Sequence, residues 1–266
     1  MKITGKTKIR FILADPVAQV IATHKANLRY EAQGLDIAMV PLHVRAEDLG
    51  LVLQSIRCMR NVIGFGVTIP HKIAIVPLLD ELTERAARIG SVNSVARRPD
   101  GTLLGDNLDG QGYIDGLAAE GIDVEGLRVL QFGAGGAGRA VAFSLAGAGV
   151  KELVIRNRTP ERAAALAQEV QQAFPACAVR SSAIKVEDDV KDAQIIVNTT
   201  SQGMKPDDDY LFDYSVLTPR HIVSEIIMVP EVTPFVEAGL AKGCKVGLGK
   251  RMVEAQLPLV SDLLQL

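Results

Sequence analysis

Three glycines in the middle of the chain have a spacing that brings a helix N-terminus close to a phosphate group. Gly133, Gly135 and Gly138 form the pattern G-x-G-x-x-G between a β-prone run, 128–132, and an apolar run, 140–145. The first glycine permits a tight turn, the second lets the backbone approach a pyrophosphate, and the third lets the helix pack against the strand. The free N–H groups at the start of that helix attract anions. We therefore predict a dinucleotide-binding turn; the alternative is a glycine turn of purely structural purpose.

The loop after the following strand, 152–156, bears on the choice of cofactor. The strand ends without an acidic residue and with two arginines, Arg156 at its end and Arg158 in the loop. In NAD-binding sheets an acid at this place binds the ribose 2′-hydroxyl, whereas an arginine accommodates the 2′-phosphate of NADP. Thr159 and Pro160 are suited to begin a helix, which would fix the loop beside Arg158. We predict NADP, with NAD as the alternative because arginine also stacks on adenine; a solvated charged turn is the structural alternative.

A lysine and an aspartate on either side of the boundary between two predicted units are candidates for acid–base chemistry. Lys72 closes the run GVTIPHK, 66–72, near a helix N-terminus where the dipole disfavours a cation. A placement that costs stability suggests a function, although a surface lysine is the alternative. Asp109 lies in GDNLDGQG, 105–112, which leads from the first unit to the second. Beside a nicotinamide, Lys72 and Asp109 would form an acid–base pair for interconverting alcohol and ketone. We interpret His71, next to Lys72 in sequence, as structural.

Alternating strands and helices surround these motifs. In the first unit we predict strands at 8–13, 36–40 (ended by Pro41), 64–69, 91–97 and 102–104, and helices at 17–30, 47–59 and from 71 onwards. In the second we predict a linking helix at 109–121 and strands at 128–132, 152–156, 178–181, 194–198, 221–227 and 245–247. Helices between them predict a doubly wound parallel sheet. We expect an α/β protein with a substrate-binding domain, 1–108 plus the C-terminal helix 248–266, and a dinucleotide domain, 109–247.

Composition narrows the class of protein. The formal net charge of 266 residues is −2, so no basic surplus points to nucleic acid or an anionic membrane surface. The three cysteines are scattered and the four histidines lack metal-ligand spacing, which predicts reduced thiols and no metal site. No apolar run is long enough to cross a bilayer, and 9–13 is too short for a signal-peptide core. We expect a cytoplasmic protein with a small-molecule substrate, as a monomer or homodimer.

Seven blocks resemble the motifs of the shikimate dehydrogenase family, in order and over nearly the full length. They are GVTIPHK (66–72), IGSVNSV (89–95), GDNLDG (105–110), GAGGAGRA (133–140), NRT (157–159), VNTTSQGM (197–204) and MVEAQ (252–256). The resemblance implies a split substrate domain over a Rossmann-type domain, with Lys72 and Asp109 as the catalytic pair. It implies that the substrate hydroxyls are bound by Thr68, Asn93 and Gln256. It also implies a cofactor site made of Gly133, Ala134, Gly135, Gly136, Ala137, Gly138, Asn157, Arg158, Thr159, Thr199, Ser201, Met204 and Gly249.

The chain departs from the family pattern where the substrate carboxylate would bind. Val20 and Ala22 stand in place of two serines, and neither side chain donates a hydrogen bond. A buried carboxylate without donors would cost several kcal/mol. Three further departures are Gly66 for asparagine, Leu108 for threonine and Met228 for tyrosine. Gln19, His24 and Lys25 are candidates to bind the carboxylate from a different direction in place of the serines.

The sequence thus predicts hydride transfer between NADP(H), or NAD(H), and a secondary alcohol or ketone. The resemblance implies a cyclic hydroxy acid such as shikimate, 3-dehydroshikimate or quinate, and the lost serines suggest an altered acid or a less charged cyclic alcohol. The alternative is a non-catalytic NADP-binding sensor on the same fold. Loss of the serines fits this alternative, whereas retention of Lys72 and Asp109 argues against it. A methyltransferase using the glycine turn is disfavoured, because an acid usually follows the second strand of such sheets.

Overall fold

The computed structural model describes residues 2–18, 20 and 22–266. By its internal contacts the chain divides into two compact units. Unit 1 comprises the residues up to Leu108 together with Pro258–Leu266, and unit 2 is Asp109–Leu257. The C-terminal helix is shared between them, since its residues up to Leu257 group with unit 2. No helix in the described ranges combines the length and apolarity needed to cross a membrane.

Unit 1 contains a mixed six-stranded sheet with the strand order β2-β1-β3-β5-β6-β4. The strands are β1 (Lys8–Ala14), β2 (Ile37–His43), β3 (Val62–Val67), β4 (Glu81–Leu82), β5 (Ser94–Arg97) and β6 (Leu103–Asp106). The helices are α1 (Ala22–Ala32), α2 (Leu49–Cys58), α3 (His71–Ala74) and α4 (Glu84–Ile89). β1 pairs in parallel with β2 and β3, whereas β5 runs antiparallel to β3 and β6. The carboxyl ends of β1, β2 and β3 therefore lie at one edge of the sheet.

Several predicted boundaries in unit 1 were wrong. β2 does not end at Pro41 but runs on to His43, because it is an edge strand and the missing N–H of a proline is tolerated there. α1 begins at Ala22 rather than at residue 17, since the chain first makes a turn in which the Val20 N–H bonds the Val17 carbonyl. The helix predicted from His71 has only four residues, so the dipole that would oppose Lys72 is short.

Unit 2 has a wholly parallel sheet with the order β12-β11-β10-β7-β8-β9. Its strands are β7 (Arg128–Phe132), β8 (Glu152–Arg156), β9 (Ala178–Ser181), β10 (Ile195–Asn198), β11 (Ile222–Glu225) and β12 (Lys245–Gly247). Its helices are α5 (Asp109–Ala119), α6 (Gly136–Gly147), α7 (Pro160–Ala173), α8 (Val186–Asp192), α9 (Pro234–Ala241) and α10 (Gly249–Leu264), the last shared with unit 1. The predicted α/β class with a doubly wound parallel sheet is confirmed. Strand order reverses at β7, the first strand, and ligands of such sheets bind at the carboxyl edge beside that point.

Candidate functional site

The glycine turn joins β7 to α6 and has the geometry of a phosphate cradle. Gly133 has a φ of +109°, which favours glycine. A Cβ on Gly138 would lie 2.5 Å from the Gly133 carbonyl oxygen, so this glycine is needed for close packing of helix on strand. A Cβ on Gly135, the N-cap of α6, would meet no atom within 4 Å. The space beside Gly135 is open toward the helix N-terminus, which fits the approach of a pyrophosphate.

Two polar side chains buried behind the turn hold its shape. Gln131 Nε2 donates to the carbonyls of Gly133 and Gly138, both at 2.9 Å. Thr199 Oγ1 donates to the Phe132 carbonyl at 2.7 Å. Thr199 was a predicted cofactor residue, and its side chain supports the turn from beneath. Gln131 was missed, although a buried glutamine in an otherwise apolar strand was a signal available in the sequence.

Asn157 ties the loop after β8 to the glycine turn. Its Oδ1 accepts from the Ala134 N–H at 3.1 Å, and its Nδ2 donates to the Thr159 carbonyl at 3.0 Å. Thr159 occupies the N-cap of α7 and Pro160 its first turn, as predicted, but the Thr159 hydroxyl makes no capping hydrogen bond. The amide of Asn157 therefore fixes this loop, rather than the expected threonine cap.

The two arginines of this loop have different surroundings. The Arg156 guanidinium forms an ion pair with the buried carboxylate of Asp189 and donates to Ser182 Oγ and the Ile184 carbonyl. Arg158 is exposed and makes no hydrogen bond or ion pair with any residue that the structure describes. Arg156 is therefore a structural residue of unit 2, and Arg158 is the arginine with free donors for a phosphate.

The remaining predicted cofactor residues follow β10 or begin α10. Ser201 is exposed and Met204 is half-buried in the loop after β10. That loop is held by Asn198, whose Nδ2 donates to the Gln202 carbonyl at 2.9 Å. Gly249 is buried, and a Cβ there would lie 2.7 Å from the Ile226 carbonyl oxygen. Gly249 thus has a packing reason to be glycine.

Glu225, at the carboxyl end of β11, is a buried acid that the sequence analysis missed. Its carboxylate accepts from the main-chain N–H groups of Ile226 and Ile227 and from the side chains of Asn198 and Thr233, all at 2.8–3.0 Å. It is 1% exposed, and burial raises its pKa to about 7 in spite of these four donors. The cluster fixes the ends of β10 and β11 at the carboxyl edge of the sheet.

Three predicted substrate-site residues of unit 1 lie where β3 ends and β5 begins. Thr68 is half-buried directly after β3, and its N–H bonds the Leu13 carbonyl at 3.0 Å. Lys72 is half-buried in α3, and its carbonyl accepts from the Val92 N–H at 2.8 Å. Asn93 Oδ1 accepts from the Leu108 N–H at 2.8 Å. These residues share one edge of the sheet; the buried His71 between them bonds the Val44 carbonyl through Nε2, as expected of a structural histidine.

Asp109 and Gln256, both in unit 2, lie within hydrogen-bond distance of each other. Asp109 is 4% exposed in the first turn of α5. Gln256 Nε2 donates to Asp109 Oδ1 at 3.3 Å. The approach of α10 to α5 depends on Gly112, where a Cβ would lie 2.7 Å from the Met252 carbonyl oxygen. The helix thus delivers an amide donor to a buried carboxylate.

The segment in place of the family serines is apolar in its packing as well as in its composition. Val20 and Ala22 pack against a buried cluster of Ile12, Ala26, Tyr30, Ile37 and Met39. Of the proposed substitutes for the serines, His24 and Lys25 are exposed on α1, and Gln19 lies outside the described residues.

A polar pair at the same edge of the sheet was missed. His43 Nε2 and Asp15 Oδ1 are 2.7 Å apart, and both residues are partly exposed. They end β2 and follow β1, and the Asp15 N–H bonds the carbonyl of Ile69, next to Thr68. Their signal in the sequence was a polar residue at the carboxyl end of each of two neighbouring strands. Across the residues with assigned structure, no cluster of three or more potential ligands forms a metal site.

The parallel sheet and the open glycine turn define a Rossmann-type dinucleotide-binding unit, and comparison with known proteins identifies its family. Residues 12–95 match the shikimate dehydrogenase substrate binding domain, and residues 117–208 match shikimate / quinate 5-dehydrogenase. A shikimate dehydrogenase (NADP(+)) of Alkaliphilus metalliredigens is 36% identical over 98% of this chain and 93% of its own length. The chain belongs to the shikimate dehydrogenase family. The prediction of an NADP-dependent dehydrogenase of this family is confirmed.

Two solved structures show how far the likeness extends. A shikimate dehydrogenase in complex with NADP+ has a TM-score of 0.92 and 31% identity, over 99% of this chain and 91% of that chain. The ligand-free 5-ketofructose reductase of Gluconobacter sp. strain CHM43 has a TM-score of 0.85 and 28% identity, over 98% of this chain and 93% of that chain. Proteins named for different substrates thus share this fold.

Proposed function

We propose that this chain interconverts a secondary alcohol and a ketone with Lys72 and Asp109 as its acid–base residues. NADP(H), when bound, exchanges a hydride with the carbon that carries the reacting oxygen. The Lys72 ammonium donates a hydrogen bond or proton to that oxygen in the reducing direction. Asp109 accepts a hydrogen bond from the reacting hydroxyl. The observation that carries the proposal is the buried Asp109 carboxylate with the Gln256 amide directed at it, because burying a carboxylate is costly without a purpose.

The glycine turn and the loop after β8 are the proposed cofactor site. The N–H groups at the start of α6 bind the pyrophosphate beside Gly135, where the structure leaves open space. Arg158 binds the 2′-phosphate of NADP, since its guanidinium is exposed and has no partner in the described chain. Asn157 holds this loop against the turn. The other predicted cofactor residues, Thr159, Thr199, Ser201, Met204 and Gly249, line or support the same edge of the sheet.

The proposed substrate lacks a carboxylate at the end where the family pattern has serines. Val20 and Ala22 offer no donors and pack on an apolar cluster, which supports a substrate with no anionic group there. Asp15, paired with His43 at the same edge, would repel a carboxylate and accept hydrogen bonds from hydroxyl groups. The similarity to a protein named 5-ketofructose reductase supports a substrate without a carboxylate, because 5-ketofructose is a sugar that carries ketone and hydroxyl groups and no carboxylate. Thr68, Asn93 and Gln256 would bind the substrate hydroxyls.

A substrate panel with the purified chain tests the proposal. Neutral cyclic polyols and ketoses are compared with shikimate and quinate, each with NADP(H) and NAD(H), by following the absorbance of the reduced nicotinamide. We expect turnover of a neutral substrate with a higher kcat/KM than shikimate. Lys72→Ala should lose about 10²–10⁴ in turnover, because that is the usual contribution of a general acid–base residue. NADP+ affinity should change little.

Lys242→Ala is the matched control, since Lys242 is an exposed lysine in unit 2 that has no proposed role in the reaction or in cofactor binding. It should keep full activity. Undiminished turnover in Lys72→Ala would reject the acid–base role. Tight NADP+ binding with no turnover of any substrate would instead favour the non-catalytic sensor.

A further inference from the structure

A cleft opens at the edge of the unit 2 sheet opposite the glycine turn. It has a volume of about 300 Å³, within the range of small-molecule sites. Arg128 is the first residue of β7, Lys151 directly precedes β8, and Arg220 lies just before β11. Lys191, near the end of α8, completes a set of four cations. Because the strands are parallel, their amino ends meet at this edge, and the glycine turn follows the carboxyl end of the same β7.

The two guanidinium groups of the cleft are held by main-chain carbonyls rather than by carboxylates. Arg128 Nε donates to the Asp192 carbonyl at 2.7 Å, and Arg220 Nη2 donates to the Lys191 carbonyl at 2.5 Å. Within the described chain, neither guanidinium forms an ion pair with a carboxylate, and the Lys151 side chain makes no hydrogen bond. Among the described residues, Lys191 is the one lining cation with a carboxylate partner within 4 Å, Asp188 at 3.6 Å. Carbonyl anchors orient a guanidinium without neutralising its charge.

The remaining lining residues do not oppose these charges. They are Gly126, Ala193 and Gln194, and no acidic side chain is among the described residues that line the cleft. Gln194 Oε1 accepts from the Arg128 N–H at 3.1 Å, which steadies the start of β7. Four positive charges thus converge on one concave surface in a chain whose net charge is −2. Such a concentration attracts anions from solution.

We propose that this basic cleft binds a small phosphate-bearing anion at a site separate from the cofactor. Two oriented guanidinium groups match the oxygens of a phosphate, and two lysines add charge without imposing a direction. The small volume and the overall negative charge favour a compact anion over a nucleic acid. The site is independent of the proposed dehydrogenase activity, since it uses none of the residues assigned to that activity.

Calorimetric titration with inorganic pyrophosphate tests the site, with NADP+ present at saturation to fill the cofactor site. Citrate, titrated in parallel at matched ionic strength, distinguishes a phosphate site from a general polyanion site. We expect saturable pyrophosphate binding that weakens steeply with added salt. Lys151→Ala combined with Arg220→Gln should weaken it at least about tenfold, which corresponds to ~1.4 kcal/mol.

The variants are judged against Lys242→Ala, which removes one exposed charge of unit 2 that is not among the residues lining the cleft. Dehydrogenase activity of the double variant should equal that of the unaltered chain, which shows that unit 2 is folded. No saturable binding of pyrophosphate, or equal affinity in the double variant and the unaltered chain, would overturn the proposal. An equal loss in Lys242→Ala would also overturn it, because the effect would then be one of overall charge. Tighter binding of citrate than of pyrophosphate would reject phosphate as the ligand class.

Discussion

Arg156 and Arg158 are two residues apart in sequence, yet only one is available to bind a ligand. Arg156 neutralises Asp189 in the interior, whereas Arg158 projects from the surface. We expect Arg158→Ala to raise the dissociation constant of NADPH about tenfold or more while that of NADH changes little. The reason is that a hydrogen bond to a charged group contributes about 1.5–3 kcal/mol, and only NADPH carries the 2′-phosphate.

Fluorescence titration with both reduced cofactors measures this difference. Arg60→Ala, which removes an exposed arginine of unit 1, is the control and should leave both affinities unchanged. An equal loss of NADPH and NADH affinity in Arg158→Ala would contradict the assignment of the 2′-phosphate.

The proposed exclusion of a carboxylate rests on Val20 and Ala22. We expect the double substitution Val20→Ser with Ala22→Ser to raise kcat/KM for shikimate at least about tenfold, since two hydroxyl donors would offset part of the desolvation of the carboxylate. Steady-state kinetics with shikimate and with a neutral polyol check this. Val40→Ser, at a partly exposed site on β2, is the control for a new hydroxyl. An unchanged preference for the neutral substrate in the double variant would show that other groups determine it.

At the scale of elements, two glycines of the β7–α6 turn differ: packing requires Gly138, and for Gly135 we propose a role in ligand access. We expect Gly138→Ala to lower the free energy of unfolding by about 1–3 kcal/mol, since its Cβ would overlap a carbonyl oxygen that cannot move. Gly135→Ala should change stability by less than about 0.5 kcal/mol, because its φ of −82° suits alanine and its Cβ meets no atom.

The two variants are matched controls for each other in urea unfolding and in NADP+ titration. Gly135→Ala should weaken NADP+ binding, since a methyl group would occupy the space proposed for the pyrophosphate. Full NADP+ affinity in Gly135→Ala would place the pyrophosphate elsewhere.

The ends of β10 and β11 are joined through Glu225, which predicts a pH dependence of stability. Its pKa is raised to about 7 in the folded chain from an ordinary value of 4.5, so the folded state holds a proton that the unfolded state releases. The contribution of Glu225 to stability is therefore complete below about pH 4.5 and is lost as the pH rises through about 7.

Glu225→Gln removes this titration while keeping the shape of the side chain. Urea unfolding between about pH 5 and pH 8 should show the unaltered chain losing stability relative to the variant, by up to ~1.4 kcal/mol per pH unit. A constant difference between the two over this range would mean that Glu225 does not change its protonation on folding.

At the scale of the whole molecule, charge is distributed in a way that the composition conceals. The net charge of −2 gave no reason to expect an anion site. The same net charge remains a sound argument against nucleic acid binding. Four cations nevertheless gather at one edge of the unit 2 sheet. The parallel order of the strands brings them together from positions more than ninety residues apart along the chain.

The sequence by itself determined the alternation of strands and helices, the parallel sheet, the glycine turn and the family, because turn chemistry and hydrophobic periodicity are properties of neighbouring residues. It also located Thr68, Lys72, Asn93, Asp109 and Gln256 through motifs with fixed spacing. Their roles stay proposals.

Only the tertiary structure decided which polar groups meet. It paired Arg156 with Asp189 and left Arg158 exposed, set Gln131 behind the glycine turn and brought His43 to Asp15. The physical reason is that the partners of Arg156 and His43 come from elements distant in sequence, α8 and the residue that follows β1. Strand order, and not the local pattern, sets which of them lie within hydrogen-bond reach.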